Sequence, residues 1–426
     1  MSELAVILGE RVAGTLTRLN GGRLRFDYAE DYRAGTPLSL SMPVQVRSHP
    51  NGVVTPWLWG LLPDNEAVLR RWAREFQASA ASPFSMLATP VGEDCAGAVR
   101  FAKPDELERV LARPGAVTWL DEHGVAVRLR ELQEDATTWL GRSFTGQFSL
   151  AGAQAKTALL QSGERWGVPS GPTPTTHILK PAVAGLDDHD LNEHLCLDAA
   201  RRAGLTAART AVSRFDDETA VVVTRYDRVV RGDSIVRVHQ EDLCQALSVS
   251  PDRKYENDGG PSVERIAALL RNAMPARESG RAIRRFADAL IWNWLIAGTD
   301  AHAKNYSLLL AGDQVRLAPL YDVASALPYP DLHVRQLRFA MKLGGDYRVE
   351  LWKNPWPRAA RDLQLDADEL LARVDELAQR APDAFADAAR DPRVTALARP
   401  LGAALADLVA ERAGRCRDLL TRSARS

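Results

Sequence analysis

The sequence predicts a mixed α/β (α+β) fold, with a small mixed subdomain in front and a helical C-terminal part. Three observations predict it. Short alternating runs set off by turn signals recur through the first half, while Ala/Leu/Arg stretches with apolar residues three and four apart fill the second. Between them residues 298–326, GTDAHAKNYSLLLAGDQVRLAPLYDVASA, place polar loops on either side of two short strand-like runs.

Composition sets the outer limits. A chain of 426 residues has room for two or three domains with real cores. A net charge of -1 gives no reason to expect a polyanion-binding surface over the whole molecule, although a local basic patch at residues 281–285 remains. Cys95, Cys196, Cys244 and Cys416 lie far apart without C-x-x-C spacing, which points to neither a zinc site nor a disulfide framework. The N-terminus carries acids and Gly before an apolar run can form, and the longest apolar passage, 289–297, is short and holds Asn293. These features read as a soluble, cytoplasmic protein with no membrane partner.

Taken in order, residues 4–8, 12–16 and 24–28 are strand-like, with Asn20-Gly21-Gly22 as the turn joining the last two. Residues 61–77 read as one helix with Pro63 in its first turn and Leu69, Trp72 and Phe76 on one face. This block, 1–102, carries no catalytic constellation and is a candidate scaffold or docking module. Residues 103–142 read as a helical connector, with Pro104 at one start, Pro114 as a breaker and a helix over 131–140.

The third block, 143–240, opens with Ser149 and the small-residue run Ala151, Gly152, Ala153, Gln154, Ala155, Lys156. Small side chains let backbone N–H groups approach phosphate oxygens, and Lys156 adds charge. The run lacks G-x-x-x-x-G-K, so taken alone it reads first as a tight β-turn. Residues 176–181 form a strand ending in Lys180 and stopped by Pro181. A helix over 190–203 carries Glu193, which either pairs with Lys180 or closes a capping box with Asp190. Residues 221–223 are a buried strand that turns polar at Thr224, Arg225 and Tyr226.

The last block, 241–426, holds the loops. Asp300 is followed five residues later by Asn305 and, after the runs 306–310 and 314–317, by Asp322. Phosphoryl transfer uses this order: an acid that takes the hydroxyl proton, an amide oxygen for magnesium, and a later acid that holds the metal against the phosphates. Asp, His and Asn also form turns, so the loop alone does not decide the matter. Helices are expected over 262–273, 280–295, 367–380 and 394–420, with Arg412, Arg415, Arg417 and Arg422 on a solvated face of the last. Trp352 and Trp356 flank Pro355 and serve either core packing or a partner.

The segments GLLPDNEAVLRRW, SLAGAQAKTALL, PTTHILKP, NEHLCLDAARRAGL, TRYDR, HQEDLCQALSVSPDRKYENDGG, GTDAHAKN and LAPLYDVASALPY occur in this order, and the chain resembles the HipA family of serine/threonine-protein kinase toxins. The resemblance spans nearly the whole sequence. It implies a two-lobed protein-kinase-like fold of the HipA type, with ATP and Mg²⁺ as cofactors. It also implies Asp300 as catalytic base, Asn305 and Asp322 as magnesium ligands, and Lys180 as the lysine on the phosphates. By the same resemblance Ala151 to Lys156 form the phosphate-side loop, Thr224, Arg225 and Tyr226 the adenine hinge, and His302, Ala303, Lys304 and Tyr321 further ATP-site lining. Ser149 matches the serine that such kinases phosphorylate on themselves. Ala155 stands where the family pattern has an acid and Thr224 where it has Glu.

The implied function is transfer of the ATP γ-phosphate to a serine of a protein, in the family an aminoacyl-tRNA synthetase such as the glutamyl enzyme, causing growth arrest and persistence. The implied partner is a HipB-like helix-turn-helix antitoxin, which makes most of the contact with operator DNA. A small-molecule kinase and a non-catalytic, antitoxin-bound corepressor are the alternatives.

Overall fold

The computed structural model describes residues 1–32, 35–232, 234–333 and 335–423. The chain forms two compact units, one of Met1–Pro181, Arg214–Asp252 and Ser307–Val315, the other of Ala182–Ser213, Arg253–Tyr306 and Arg316–Ser426.

The first unit begins with a five-stranded sheet in the order Ser48–His49, Leu24–Tyr28, Arg11–Arg18, Ser2–Leu8, Val99–Ala102. The three expected N-terminal strands are all present. Gly21 and Gly22, both at φ +82, make the turn that L side chains would strain. The helix expected over 61–77 is shortened. Its main part is Glu66–Glu75, capped by Asn65, whose side chain accepts from the N–H groups of Ala67 and Val68 at 2.9 and 3.3 Å. Pro63 lies outside it, and a separate helix, Asn51–Gly60, precedes it. A polar cap at Asn65 with Leu61 and Leu62 fully buried outweighs the proline signal. Leu69 and Trp72 do point into the core, while Phe76 sits at the helix end in edge contact with Phe144.

A second sheet runs Glu218–Thr224, His177–Lys180, Thr157–Ser162, Arg165–Ser170, Ala116–Leu120, with the strand Thr210–Phe215 at its outer edge. The connector is therefore not purely helical. Its strand Ala116–Leu120 is half exposed and lacks an inward apolar face, which hid it from periodicity. The connector helix is Glu122–Glu134, capped by Asp121, and ends at Asp135 rather than reaching residue 140. Asp135 instead binds its own loop at Thr137 and pairs with Arg71 at 2.6 Å.

The second unit is mainly helical. Ala276–Ile296 is its central helix, with Trp292 stacked on Phe385 and Trp294 edge-on to Trp356. Expected ends moved in two places. Ala367–Ala389 continues through Pro382 because Ala381, Ala384, Phe385 and Ala388 are all buried, packing that offsets a cost of about 3 kcal/mol for an interior proline. The helix expected over 394–420 breaks into Pro392–Thr395 and Leu401–Ser423, with Ala398 at φ +53. The break releases Arg399 to pair with buried Asp190 at 2.9 Å. Arg412 is not on a solvated face; it is buried and donates to the carbonyls of Trp294 and Val349. Trp356 is core, whereas Trp352 is half exposed beneath Arg348. No helix among the described residues is long and apolar enough to cross a membrane.

Candidate active site

The loop that carries Asp300 starts where the central helix stops. Ala297 takes a left-handed φ of +53, and Gly298 donates its N–H to the Asn293 carbonyl at 2.8 Å. A Cβ on Gly298 would lie 2.2 Å from the Asn293 side-chain oxygen, so any other residue here would displace that buried amide. The Asp300 carbonyl then accepts twice, from the His302 N–H at 2.8 Å and from the Asn305 side-chain amide at 2.7 Å. Tying down Nδ2 leaves Oδ1 as the acceptor end of the Asn305 side chain. The Asp300 carboxylate is 66% exposed, while His302, Lys304 and Asn305 behind it are buried.

The two runs after Asn305 form the expected hairpin, Ser307–Ala311 and Gln314–Leu317, with Ser307 paired opposite Asp242. The chain returns so that the Tyr321 hydroxyl donates to the Lys304 carbonyl at 2.6 Å. Asp322 follows at φ +57, a left-handed backbone that Asp tolerates better than most residues. The return is locked by contacts the sequence did not reveal. Ser325 donates its hydroxyl to the Ile296 carbonyl at 2.6 Å, and Asn192 exchanges two hydrogen bonds with the Ser325 backbone at 2.8 and 2.9 Å. Asp300 and Asp322 therefore hang from the same helix end.

His302 lies within electrostatic reach of Asp300, Asp322, Lys254 and Lys304. Burial holds its imidazole below the ordinary value, against the opposing pull of the Asp300 carboxylate 3.9 Å away. A neutral His302 adds no positive charge beside the two acids.

Asp190 does not close a capping box with Glu193, one of the two readings of this helix start. The helix His189–Arg202 is preceded by Asp188 at φ +55 with no side-chain cap, and Asp190 is fully buried against Arg399. Glu193 is buried on the same helix.

The first unit carries the residues expected on the nucleotide side. Ser149 is fully buried, its hydroxyl donating to the Leu61 carbonyl at 2.7 Å and its N–H to the Asp94 carbonyl at 3.0 Å. Lys156 closes the following loop by donating to the Ala151 carbonyl at 2.9 Å, its ammonium 4.6 Å from the Trp139 ring centroid. Gly152 lies at φ +101, where a Cβ would meet the Lys156 ammonium, while Ala153 is exposed and Gln154 and Ala155 partly so. Lys180 is buried at the end of its strand, opposite Val221.

Thr224 pairs with His177, and the Arg225 N–H donates to the Thr176 carbonyl at 2.9 Å. The Arg225 side chain is fully engaged elsewhere. With Arg228 and Arg237 it surrounds Asp94 and Asp227, a buried cluster with separations of 2.8 to 3.5 Å. These arginines hold the Asp94 carboxyl far below the usual carboxylate range, overcoming the effect of burial. The cluster joins the strand ends at residues 225–228 to the turn at Asp94, and the burial of the three charges on TRYDR escaped the sequence reading because Asp94, which both arginines share with Asp227, lies about 130 residues away. Tyr226 hydrogen-bonds the Gln240 side chain.

Hard-oxygen donors fit magnesium. An Asp carboxylate and an oriented amide oxygen suffice for an ion that takes its remaining ligands from phosphates and water. No group of three or more His, Cys, Asp or Glu side chains suited to a metal occurs among the described residues.

Models of the HipA N-terminal domain and the HipA-like C-terminal domain match residues 4–102 and 148–385. The putative kinase Y4mE of Sinorhizobium fredii is 32% identical over 391 residues, 89% of this chain and 90% of the relative. The serine/threonine-protein kinase toxin HipA of Shewanella oneidensis is 26% identical, with 86% of each chain covered. The fold also matches the HipA structure solved with HipB and operator DNA from Shewanella oneidensis, with a TM-score of 0.83, 22% identity and 98% of each chain covered. The chain belongs to the HipA family of toxin–antitoxin kinases, as its ordered motifs implied.

Proposed function

We propose that this chain is an ATP-dependent serine/threonine-protein kinase, the toxin of a type II toxin–antitoxin pair. The observation that carries the reading is the Asp300 loop: an exposed carboxylate whose own carbonyl anchors the amide of Asn305, with Asp322 returned to the same helix end. Asp300 accepts the proton of the acceptor hydroxyl as its oxygen bonds to the γ-phosphorus of ATP, while the bond from that phosphorus to the β–γ bridging oxygen breaks and ADP leaves with the oxygen. Asn305 and Asp322 would hold Mg²⁺, and Lys180 would steady the phosphates. Mg·ATP, when bound, supplies the γ-phosphoryl group and the charge neutralisation that its transfer needs. Ala151 to Lys156 contact phosphate, Thr224 to Tyr226 adenine, and His302, Ala303, Lys304 and Tyr321 line the site.

The acceptor is a serine of a cytoplasmic protein, an aminoacyl-tRNA synthetase such as the glutamyl enzyme, whose modification slows translation and favours persistence. Ser149 is a second acceptor, on the chain itself. A HipB-like helix-turn-helix antitoxin holds the kinase in check and makes most of the operator contact; likeness to a HipA seen with HipB and DNA supports this.

The test is labelled ATP with lysate and purified protein. Wild type should label a protein band. Asp300→Asn should abolish labelling and leave ATP affinity nearly intact, since it removes only the base. Asp322→Ala should weaken Mg·ATP binding as well, because a metal ligand is lost. Asp300→Asn labelling at the wild-type rate would remove Asp300 from its role.

A further inference from the structure

The motif DRKYENDGG belongs to no catalytic part described above, yet it lies against the Asp300 carboxylate. The Tyr255 hydroxyl donates to Asp300 Oδ1 at 2.6 Å. We propose that Tyr255 is a positioning residue for the catalytic base: it pins Oδ1 and leaves Oδ2 to take the acceptor proton. The inference rests on the kinase reading of Asp300.

An Asp that is 66% exposed has several rotamers within easy reach, and only one places its oxygen at the acceptor. A hydrogen bond from a rigid phenol selects among them, provided the phenol is itself fixed. Tyr255 is fixed on three sides. Its ring sits edge-on to the buried His302 ring, with centroids 5.0 Å apart. Its carbonyl accepts the N–H groups of Asp258 and Gly260 at 3.0 and 2.9 Å, closing a tight turn over Glu256–Asp258. On either side, the Lys254 carbonyl accepts the Ala303 N–H at 3.3 Å and the Glu256 carboxylate accepts the Lys342 N–H at 2.6 Å.

The glycines of the motif follow from the same geometry. Gly259 takes φ +92, and a Cβ on Gly260 would strike the carbonyls of Arg253 and Tyr255. The turn is thus shaped around the tyrosine, which reaches the base from outside the loop that carries it. One of its tethers, Glu256, is bound by the strand Arg338–Leu343.

Tyr255→Phe isolates the hydroxyl and keeps the ring against His302. Using full-length protein with myelin basic protein as a generic serine acceptor, kcat should fall roughly tenfold while KM for ATP stays within about twofold, the pattern of a lost charge-assisted hydrogen bond at a partly exposed site. Crystal structures of both proteins add a readout independent of turnover. Asp300 should occupy one rotamer in wild type and two or more in Tyr255→Phe. An Asp300 side chain ordered identically in both, or an unchanged kcat, overturns the proposal. So does a drop in kcat matched by an equal rise in KM and a lowered melting temperature, which marks a merely structural tyrosine. If wild type transfers no phosphate but the Asp300 rotamer still spreads on loss of the hydroxyl, the kinase reading fails and the positioning contact stands.

Discussion

His239 shows how a single buried side chain sets a pH limit. Its Nδ1 lies 3.4 Å from the Ala98 N–H and its Nε2 2.9 Å from the Leu38 carbonyl, so the ring is neutral with its proton on Nε2. A second proton on Nδ1 would face a donor, and burial, the larger cause, lowers the pKa to about 4. The ordinary value is 6.5. Between those values the unfolded chain binds a proton that the folded one refuses, so stability is intact above pH 6.5 and is lost as pH falls toward 4. His239→Gln keeps a donor for Leu38 and an acceptor for Ala98 but cannot titrate. Its melting temperature should therefore fall less steeply over this window, the difference amounting to on the order of 2–3 kcal/mol by pH 4. Parallel curves for the two proteins would contradict the assignment. Glu241, pushed up to about 8 by burial, adds a slope of opposite sign between pH 4.5 and 8, and it is common to both proteins and cancels.

At the scale of one element, the loop after Ser149 is the part with something to lose. Ser149 has no exposed surface, and its hydroxyl is spent on the Leu61 carbonyl. A phosphate carries nearly two negative charges and three acceptor oxygens, which cannot occupy that place beside a carbonyl acceptor. Phosphorylation should therefore expel the segment and break the Lys156–Ala151 closure behind it. Loss of those contacts should lower ATP affinity by about a hundredfold. Protein incubated with Mg·ATP should carry phosphate on Ser149 by mass spectrometry and bind nucleotide poorly by calorimetry. A phosphorylated form that binds and uses ATP like the unmodified one would refute the switch. Burial also means that the serine must leave its site to be modified, so the reaction should be slow.

For the molecule as a whole, the N-terminal sheet offers no chemistry, and its residues 4–102 match the HipA N-terminal domain. It is expected to contribute to docking the antitoxin. Affinity capture from the native host should recover a helix-turn-helix protein encoded beside this chain, and deleting that gene should make expression of the kinase arrest growth, with Asp300→Asn relieving the arrest. Recovery of no such protein would leave the kinase without its antitoxin.

The sequence by itself determined the N-terminal strands, the helical second unit and the order Asp300, Asn305, Asp322, because each depends on periodicity, turn chemistry or spacing within about twenty residues. Eight weak motifs in register added the family. What only the tertiary structure decided rests on partners far apart in the chain. The helix that runs through Pro382 obeys the packing of Phe385 on Trp292, not the proline signal. Asp190, which reads as a cap, belongs to Arg399 two hundred residues on, and Arg412, which reads as surface, feeds the Trp294 and Val349 carbonyls. Tyr255 carries no role in the linear sequence; only folding brings its hydroxyl to Asp300, 45 residues later. A buried charge or a positioned hydroxyl takes its meaning from its partner, and linear spacing carries no information about a partner that folding alone supplies.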